Sequence, residues 1–176
     1  MNKKEDAKDY TIRFARYSDL GRVNAIMERM DSQIDDSSIF VSDDEDFIRN
    51  HIEHEGFIVV AGHTNKVVAF LIVRFPHMNE DNLGLDLGMD EEDLMKVCHM
   101  ESVIVLDKHR GNALQRKLIA YSEPIAHAMG YPHAMATVSP DNPYSLNNFL
   151  DMGYEAVRQS KKYDGVERII LKKELY

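Results

Sequence analysis

The segment SVIVLDKHRGNALQRKLI, Ser102 to Ile119, constrains the fold more than any other part of the chain. Ser102 to Leu106 are mostly β-branched or apolar and read as the end of a strand, whereas Leu114, Leu118, Tyr121, Ile125 and Met129 recur at helical spacing. At the switch lie one glycine, Gly111, and a cationic cluster of Lys108, His109, Arg110, Arg116 and Lys117. A strand that passes into a helix over so few residues needs a sheet to lie in and a face to pack on, as in an α/β domain.

The rest of the chain supplies such a sheet. Tyr10 to Arg16 alternates like a strand, and Ser18 reads as the N-cap of a helix carrying Leu20, Val23, Ile26, Met27 and Met30 on one face. Ser42 and Glu45 have the spacing of a capping box ahead of Phe47, Ile48 and Ile52. Phe57 to Phe75 reads as two strands around a tight turn at Thr64 and Asn65. Residues 76–97 form an acidic, glycine-containing insertion with a short helix from Glu91 to Val97, and Cys98 to Leu106 is the next strand. The helix from Asn112 should be kinked or split at Pro124 and end at Gly130. His133 to Ser139 is a strand and Pro143 to Asp151 a short helix with Gly153 just past its end. Two last strands flank Asp164-Gly165, a hairpin signal.

At 176 residues, 44% hydrophobic and 29% charged, the chain reads as one domain (1–176) with a disordered tail at 1–9. The net charge of −9 excludes sequence-independent nucleic-acid binding, which needs a basic face. No apolar run is long enough to span a membrane, and no apolar segment follows MNKKEDAKDY as a secretory signal requires. Cys98 is the only cysteine, which excludes an internal disulfide and fits a cytoplasmic location. Cys and His do not fall at zinc-finger spacings, so no metal is expected.

The cationic cluster is therefore the informative exception in an acidic chain. A helix start presents free backbone N–H groups and the positive end of the macrodipole, and together these attract an anion. Gly111 would remove the Cβ that keeps a phosphate from the backbone. The same charges also suit a solvated helix face, and the segment alone leaves both readings open. The phosphate loops G-x-x-x-x-G-K-[ST] and G-x-G-x-x-G are excluded, because no glycine occurs between Gly111 and Gly130.

Two motifs resemble the GNAT superfamily of acetyl-CoA-dependent N-acetyltransferases. The pyrophosphate loop of that family reads Arg/Gln-x-x-Gly-x-Gly/Ala, and here Arg110, Ala113 and Gln115 take its three positions. Ala113 and Gln115 depart from the strict pattern. A positive φ at Ala113 would cost roughly 1–2 kcal/mol. The family's N-x-x-A/S-x-x-x-Y-x-x-x-G-F is matched by Asn142, Ser145, Phe149, Gly153 and Tyr154. The resemblance implies a mixed, mostly antiparallel sheet of about seven strands flanked by about four helices.

It also implies a cofactor site. Arg110, Gly111, Asn112, Ala113, Leu114 and Gln115 would wrap the pyrophosphate of acetyl-CoA, with Arg116, Lys108 and Lys117 adding positive charge. Backbone groups of Val103, Ile104 and Val105 would pair with pantetheine, and a backbone N–H there can hold a developing oxyanion. Asn142, Ser145 and Phe149 would complete the site, with Phe149 packed against the cofactor.

Attack by a primary amine needs a base, for which Glu101 stands first and His99 second. Many family members have Tyr where this chain has Phe149, to protonate the leaving thiolate; its loss need not abolish activity, and Tyr144 and Tyr154 are the candidate substitutes. Acidic residues from Asp31 to Glu55 and Glu80 to Asp93 suit a cationic acceptor, or form solvated faces. The leading expectation is an N-acetyltransferase, monomeric or homodimeric. Its rivals are a catalytically silent acyl-CoA-binding module and a partner-binding module of the same fold.

Overall fold

The computed structural model describes residues 9–33, 49, 54–162 and 165–176. Strand β1 (Thr11–Phe14) leads through a 3-10 turn, Tyr17–Asp19, into helix α1 (Leu20–Gln33). Asp19, not Ser18, fixes this entry. Its carboxylate accepts the Arg16 backbone N–H at 2.8 Å and the Arg13 guanidinium at 2.7 and 3.0 Å. The expected helix carrying Phe47, Ile48 and Ile52 lies outside the described residues, as does the 1–9 tail apart from Asp9.

Strands β2 (Gly56–His63) and β3 (Lys66–Arg74) form the expected hairpin. Thr64 and Asn65 have φ of 46° and 63°, the two positive values that a type I′ turn requires. The insertion then folds into a 3-10 turn, Leu83–Leu87, and a short helix α2 (Glu91–Leu94), three residues shorter than expected because Val97 already opens strand β4 (Val97–Val105). Helix α3 (Leu114–Ala128), strand β5 (His133–Val138), helix α4 (Pro143–Asp151) and strands β6 (Glu155–Lys162) and β7 (Val166–Glu174) complete the chain.

The seven strands lie in the order β1-β2-β3-β4-β5-β7-β6. Every neighbouring pair is antiparallel except β4 and β5, which run parallel. Alternation of side chains across the sheet produces a core on each face. On one face Val59, Leu71, Met100 and Ala136 pack with Leu114, Leu118 and Ile119 of α3. On the other, Ile58, Val60, Phe70, Ile72 and Ile104 pack with Val23, Ile26 and Met27 of α1. The Leu83–Leu87 turn covers the second face further along, where Leu83 meets Val97, Met135 and Ile170.

Helix α3 differs from its sequence reading in two respects. It runs through Pro124 without a break. Its buried stripe is Leu114, Leu118, Ile119, Ser122 and Ala126, whereas Tyr121 and Met129 are exposed at its edge. The apolar face is thus turned toward Ile119 and Ala126, which a spacing count through Tyr121 does not reveal.

The parallel pairing is short. Val97, Cys98 and His99 pair with His133, Ala134 and Met135, and beyond these both strands continue without a shared ladder. A β-bulge lies at the same place on the β3 side: Ile72 faces Ser102 and Val73 faces Met100, leaving Glu101 as the extra residue. Side-chain parity slips there. Cys98 and Met100 face α3 before the bulge, and Val103 and Val105 do so after it.

The start of α3 holds the one strained backbone position near this gap. Ala113, at the N-cap, has φ 55° and ψ 27° and supplies no side-chain cap. This left-handed conformation costs an L-residue roughly 1–2 kcal/mol, part of which glycine returns as extra freedom in the unfolded chain. Ala113→Gly is expected to raise unfolding stability by about 1 kcal/mol, read as a higher urea midpoint at unchanged m-value. A midpoint that stays or falls would show that the conformation carries no strain.

Candidate functional site

The divergence of β4 and β5 opens the sheet from within. Leu106 donates its N–H to Val68 on β3 at 3.0 Å, so by antiparallel alternation Ile104 also points its backbone groups at β3. Val103 and Val105 point theirs the other way, into the gap. Of the three valine and isoleucine positions expected to offer backbone groups, two therefore face the opening and Ile104 does not.

The cationic loop lies at the end of β4. Gly111 adopts φ 78°, a left-handed turn that glycine takes without strain, and an added Cβ would meet no protein atom within 4 Å. Asn112 braces the loop by donating from Nδ2 to the carbonyls of His109 and Arg110, at 3.0 and 3.1 Å. The first N–H bonded back into the helix is that of Lys117, to the Ala113 carbonyl at 2.9 Å. Ahead of it the N–H groups of Leu114, Gln115 and Arg116 form an uncapped helix start.

The cluster's charges divide between tasks. Arg110 is 59% exposed and pairs with Asp107 at 3.0 Å. Arg116 reaches Asp151 at 3.3 Å, and Lys117 lies 5.8 Å from the ring centroid of Tyr10. The imidazole of His109 shares a hydrogen bond with the Tyr10 hydroxyl at 3.0 Å. Gln115 is a strut to α4: its Nε2 donates to Ser145 Oγ, and its Oε1 accepts from Asn148, both at 2.9 Å. Asn142 caps α4 by accepting the Ser145 N–H at 3.1 Å.

Phe149 is 2% exposed and packs edge-to-face on Tyr154 with ring centroids 4.9 Å apart, inside the α3-side core. Tyr144 is 85% exposed. The Tyr154 hydroxyl is buried, and burial followed by the nearby Glu123 charge pushes it well above the usual phenol range. Neither tyrosine lines the cavity described next.

A cavity of about 380 Å³ occupies the opening between the strands. Glu101 lines it from β4, Thr137 from β5 beyond the last paired residue, and Lys161 from the end of β6. His99 also lines it, is 3% exposed, and is held at both ring nitrogens. The Leu83 backbone N–H donates to its Nε2 at 3.1 Å, so the proton sits on Nδ1, which donates to Glu101 Oε2 at 3.2 Å. The donor is well placed because Asn82 accepts the Gly84 N–H and donates to the His77 and Leu94 carbonyls, pinning the turn.

Arg74, at the end of β3, completes this group. Its guanidinium forms a fork with Asp81 at 2.6 and 2.7 Å and lies 3.8 Å from Glu101. Burial pushes the Glu101 carboxyl up, but the His99 hydrogen bond and the Arg74 charge outweigh it and hold the group below its ordinary range. Sequence spacing does not announce Arg74, Asp81 or the Leu83 N–H. The only available signals were the unusual arginine closing an apolar strand and the like parity of His99 and Glu101.

Among the described residues no cluster of His, Cys, Asp and Glu could hold a metal ion, and no helix is long and apolar enough to cross a membrane. Burial pushes the Cys98 thiol up to about 12, which leaves it inert as a nucleophile.

The fold recurs in known proteins. An N-acetyltransferase of Staphylococcus aureus Mu50 superposes with a TM-score of 0.70 at 18% identity, over 96% of this chain and 99% of its own. The yncA protein of Salmonella typhimurium, solved with its cofactor acetyl-CoA, gives 0.70 at 18% identity over 96% and 95%. The ribosomal-protein-S18-alanine N-acetyltransferase of Escherichia coli gives 0.69 at 14% identity over 95% and 94%. At these identities the likeness is one of fold. No curated protein matches the sequence. The profile of the Acetyltransferase (GNAT) family matches residues 25–154, and the chain belongs to that family.

Proposed function

We propose that this protein moves the acetyl group of acetyl-CoA to a primary amine by direct attack, with Glu101 collecting the amine's proton. The observation that carries the proposal is the relay from the Leu83 N–H through His99 to Glu101, which ends in a cavity at the mouth of the β4–β5 gap. The residues fit the cosubstrate. The uncapped start of α3 and the exposed Arg110 suit a pyrophosphate, and the free backbone groups of Val103 and Val105 suit an extended amide chain. When bound, acetyl-CoA supplies an activated thioester and a thiol leaving group.

Each residue then has a task. Arg110 to Gln115 hold the pyrophosphate, with Lys108 adding charge at the loop. The gap-facing N–H of Val103 or Val105 is the donor for a developing oxyanion. An alkylammonium has a pKa of about 10.4, so the acceptor arrives charged and Glu101 attracts it before accepting its proton, directly or through water. His99 is a positioning residue, because its acceptor nitrogen is occupied by Leu83 and its other nitrogen already carries a proton. Asn142, Ser145 and Gln115 fix α4 against α3, which places the loop. The buried Cys98 suits a reducing compartment, and we place the protein in the cytoplasm.

Phe149 favours a second reading, a silent acyl-CoA-binding module, since phenylalanine cannot protonate a thiolate. Among the described residues no tyrosine lines the cavity to replace it. The loss is tolerable, because a thiol with a pKa near 8.5 leaves readily and acid catalysis contributes only about 10²–10⁴-fold. Free CoA release with a panel of amines, beside an acetyl-CoA titration, decides between the readings. Amine-dependent release supports the transferase, and tight binding without release supports the silent module.

Glu101→Gln is expected to lower kcat/KM by about 10²–10³-fold while leaving acetyl-CoA affinity within a few fold. Equal activity would remove Glu101 from the mechanism. The depressed Glu101 carboxyl stays ionised at neutral pH and is lost as base only when pH falls through its lowered pKa, below the ordinary carboxylate range. His99→Ala removes the hydrogen bond that lowers it while burial still raises it, so the acid limb of the kcat/KM profile moves to higher pH. An unshifted limb would show that His99 does not act on Glu101. Tyr154→Phe is expected to change kcat less than threefold, and a loss of about 10²-fold or more would identify Tyr154 as the acid.

A further inference from the structure

The wall of the cavity carries charge of both signs. Of the acidic residues between Glu80 and Asp93, only Glu80 and Asp81 reach its wall, and Asp81 is taken by the Arg74 fork. Asp86 is turned to Lys162 and its carbonyl to Arg158. Asp90 caps α2, Glu92 pairs with Lys96, and Asp93 lies beside His133. Glu80 remains at the wall as an exposed carboxylate, and the β6–β7 hairpin adds positive charge through Lys161 and Lys162.

Lys161 is the informative member of that wall. It lines the cavity, is exposed, and pairs with no carboxylate among the described residues. Its neighbour Lys162 is tied to Asp86, and Arg158 to the Asp86 carbonyl, so the strand that carries Lys161 is fastened to the Leu83–Leu87 turn. The same turn aims the Leu83 N–H at His99, so one rigid piece sets both the cation and the base. Arg74 is not available for the same task, because its fork is filled by Asp81 and it leans on Glu101.

A ligand that satisfies both ends carries one ammonium and one anion. An ammonium at Glu101 is attracted, and a second ammonium that comes near Lys161 is repelled. We infer that the acceptor is a small amphoteric amine, its primary amine at Glu101 and its carboxylate or phosphate-type group at Lys161. This rests on the transferase reading for what happens to the amine, but binding alone can be tested without it. A charge-assisted contact of this kind discriminates by about tenfold or more.

The test uses the full chain and aminoalkyl ligands of matched length in four kinds: ω-amino carboxylates, ω-aminoalkyl phosphonates, neutral alkylamines and diamines. Ligand-induced shifts in melting temperature are measured in the presence of CoA, and CoA release is measured with acetyl-CoA. Wild type is expected to favour the carboxylates or the phosphonates over neutral amines by about tenfold, and which of the two leads names the anion. Lys161→Ala should reduce that preference to within about threefold, and Lys161→Glu should turn it toward diamines. Preference without CoA release supports the acceptor chemistry and overturns the transferase reading. Release without preference, a preference for diamines in wild type, or a preference that Lys161 variants leave intact overturns the acceptor chemistry. So does the absence of any shift and any release.

Discussion

Two parallel strands at the centre of this sheet share only three register pairs, and the site is built on that early parting. Each strand can leave the other because each is held from its far side: β4 by six pairs with β3, and β5 by six pairs with β7. The opening therefore costs the sheet little of its ladder. What it leaves is a pair of residues, Val103 and Val105, whose backbone donors and acceptors face a gap inside the sheet rather than its edge. Backbone groups so placed require a partner, and an extended ligand chain is the partner that fits. The bulge at Glu101 falls at the same level. It returns the following residues to the α3-facing core while leaving the Glu101 carboxylate at the mouth of the gap.

The cationic cluster that singled out this region turns out to be divided. Arg116, Lys117 and His109 hold elements together, through Asp151 and Tyr10. Arg110 keeps most of its surface, and the uncapped N–H groups of α3 add a positive potential that no side chain cancels. The proposed anion site would thus be made mainly of backbone, with Arg110 as its charged rim. The departures from the strict loop pattern follow the same logic. Ala113 accepts a left-handed conformation to keep the helix start open, and Gln115 spends its amide on Ser145 and Asn148 to hold α4 in place.

Much of the fold was legible because its signals are local. The Thr64-Asn65 turn, the Pro143–Asp151 helix with its Asn142 cap, and the strand before Leu106 each carry their own residue chemistry. The errors arose where tertiary packing decides. Asp19 displaced Ser18 because Arg13, on the neighbouring strand, binds its carboxylate. Tyr121 fell outside the core because α3 is rolled toward Ile119 by the sheet beneath it. At the site, Glu101 and His99 could be named from strand parity. The order of the two, Glu101 before His99, had no physical reason in the sequence; one comes from a backbone N–H sixteen residues earlier that binds the acceptor nitrogen of His99. Of the acidic insertion the sequence left two readings, and partners that spacing cannot show, such as Arg74 for Asp81 and Lys162 for Asp86, now account for part of its charge.

The proton economy of the proposed reaction is lopsided, and the structure suggests why that is workable. A carboxylate held below its ordinary range is a weak base for an ammonium near 10.4, so Glu101 gains most by attracting the cation and orienting its nitrogen. The nitrogen becomes far more acidic once it bonds to an acyl carbon, and at that moment a weak base suffices. On the other side, Phe149 offers no proton, so the departing sulfur leaves as a thiolate and must be stabilised by its surroundings. In the proposed reaction the positive end of α3 and the backbone donors of the gap would supply that stabilisation. Rate enhancement in such a site comes from position and from fixed dipoles more than from acid and base strength. That places the burden on rigidity, and explains why so many of the polar side chains near the cavity bind one another: Asn82 pins the turn, Gln115 ties two helices, and Arg74 locks Asp81 beside the base.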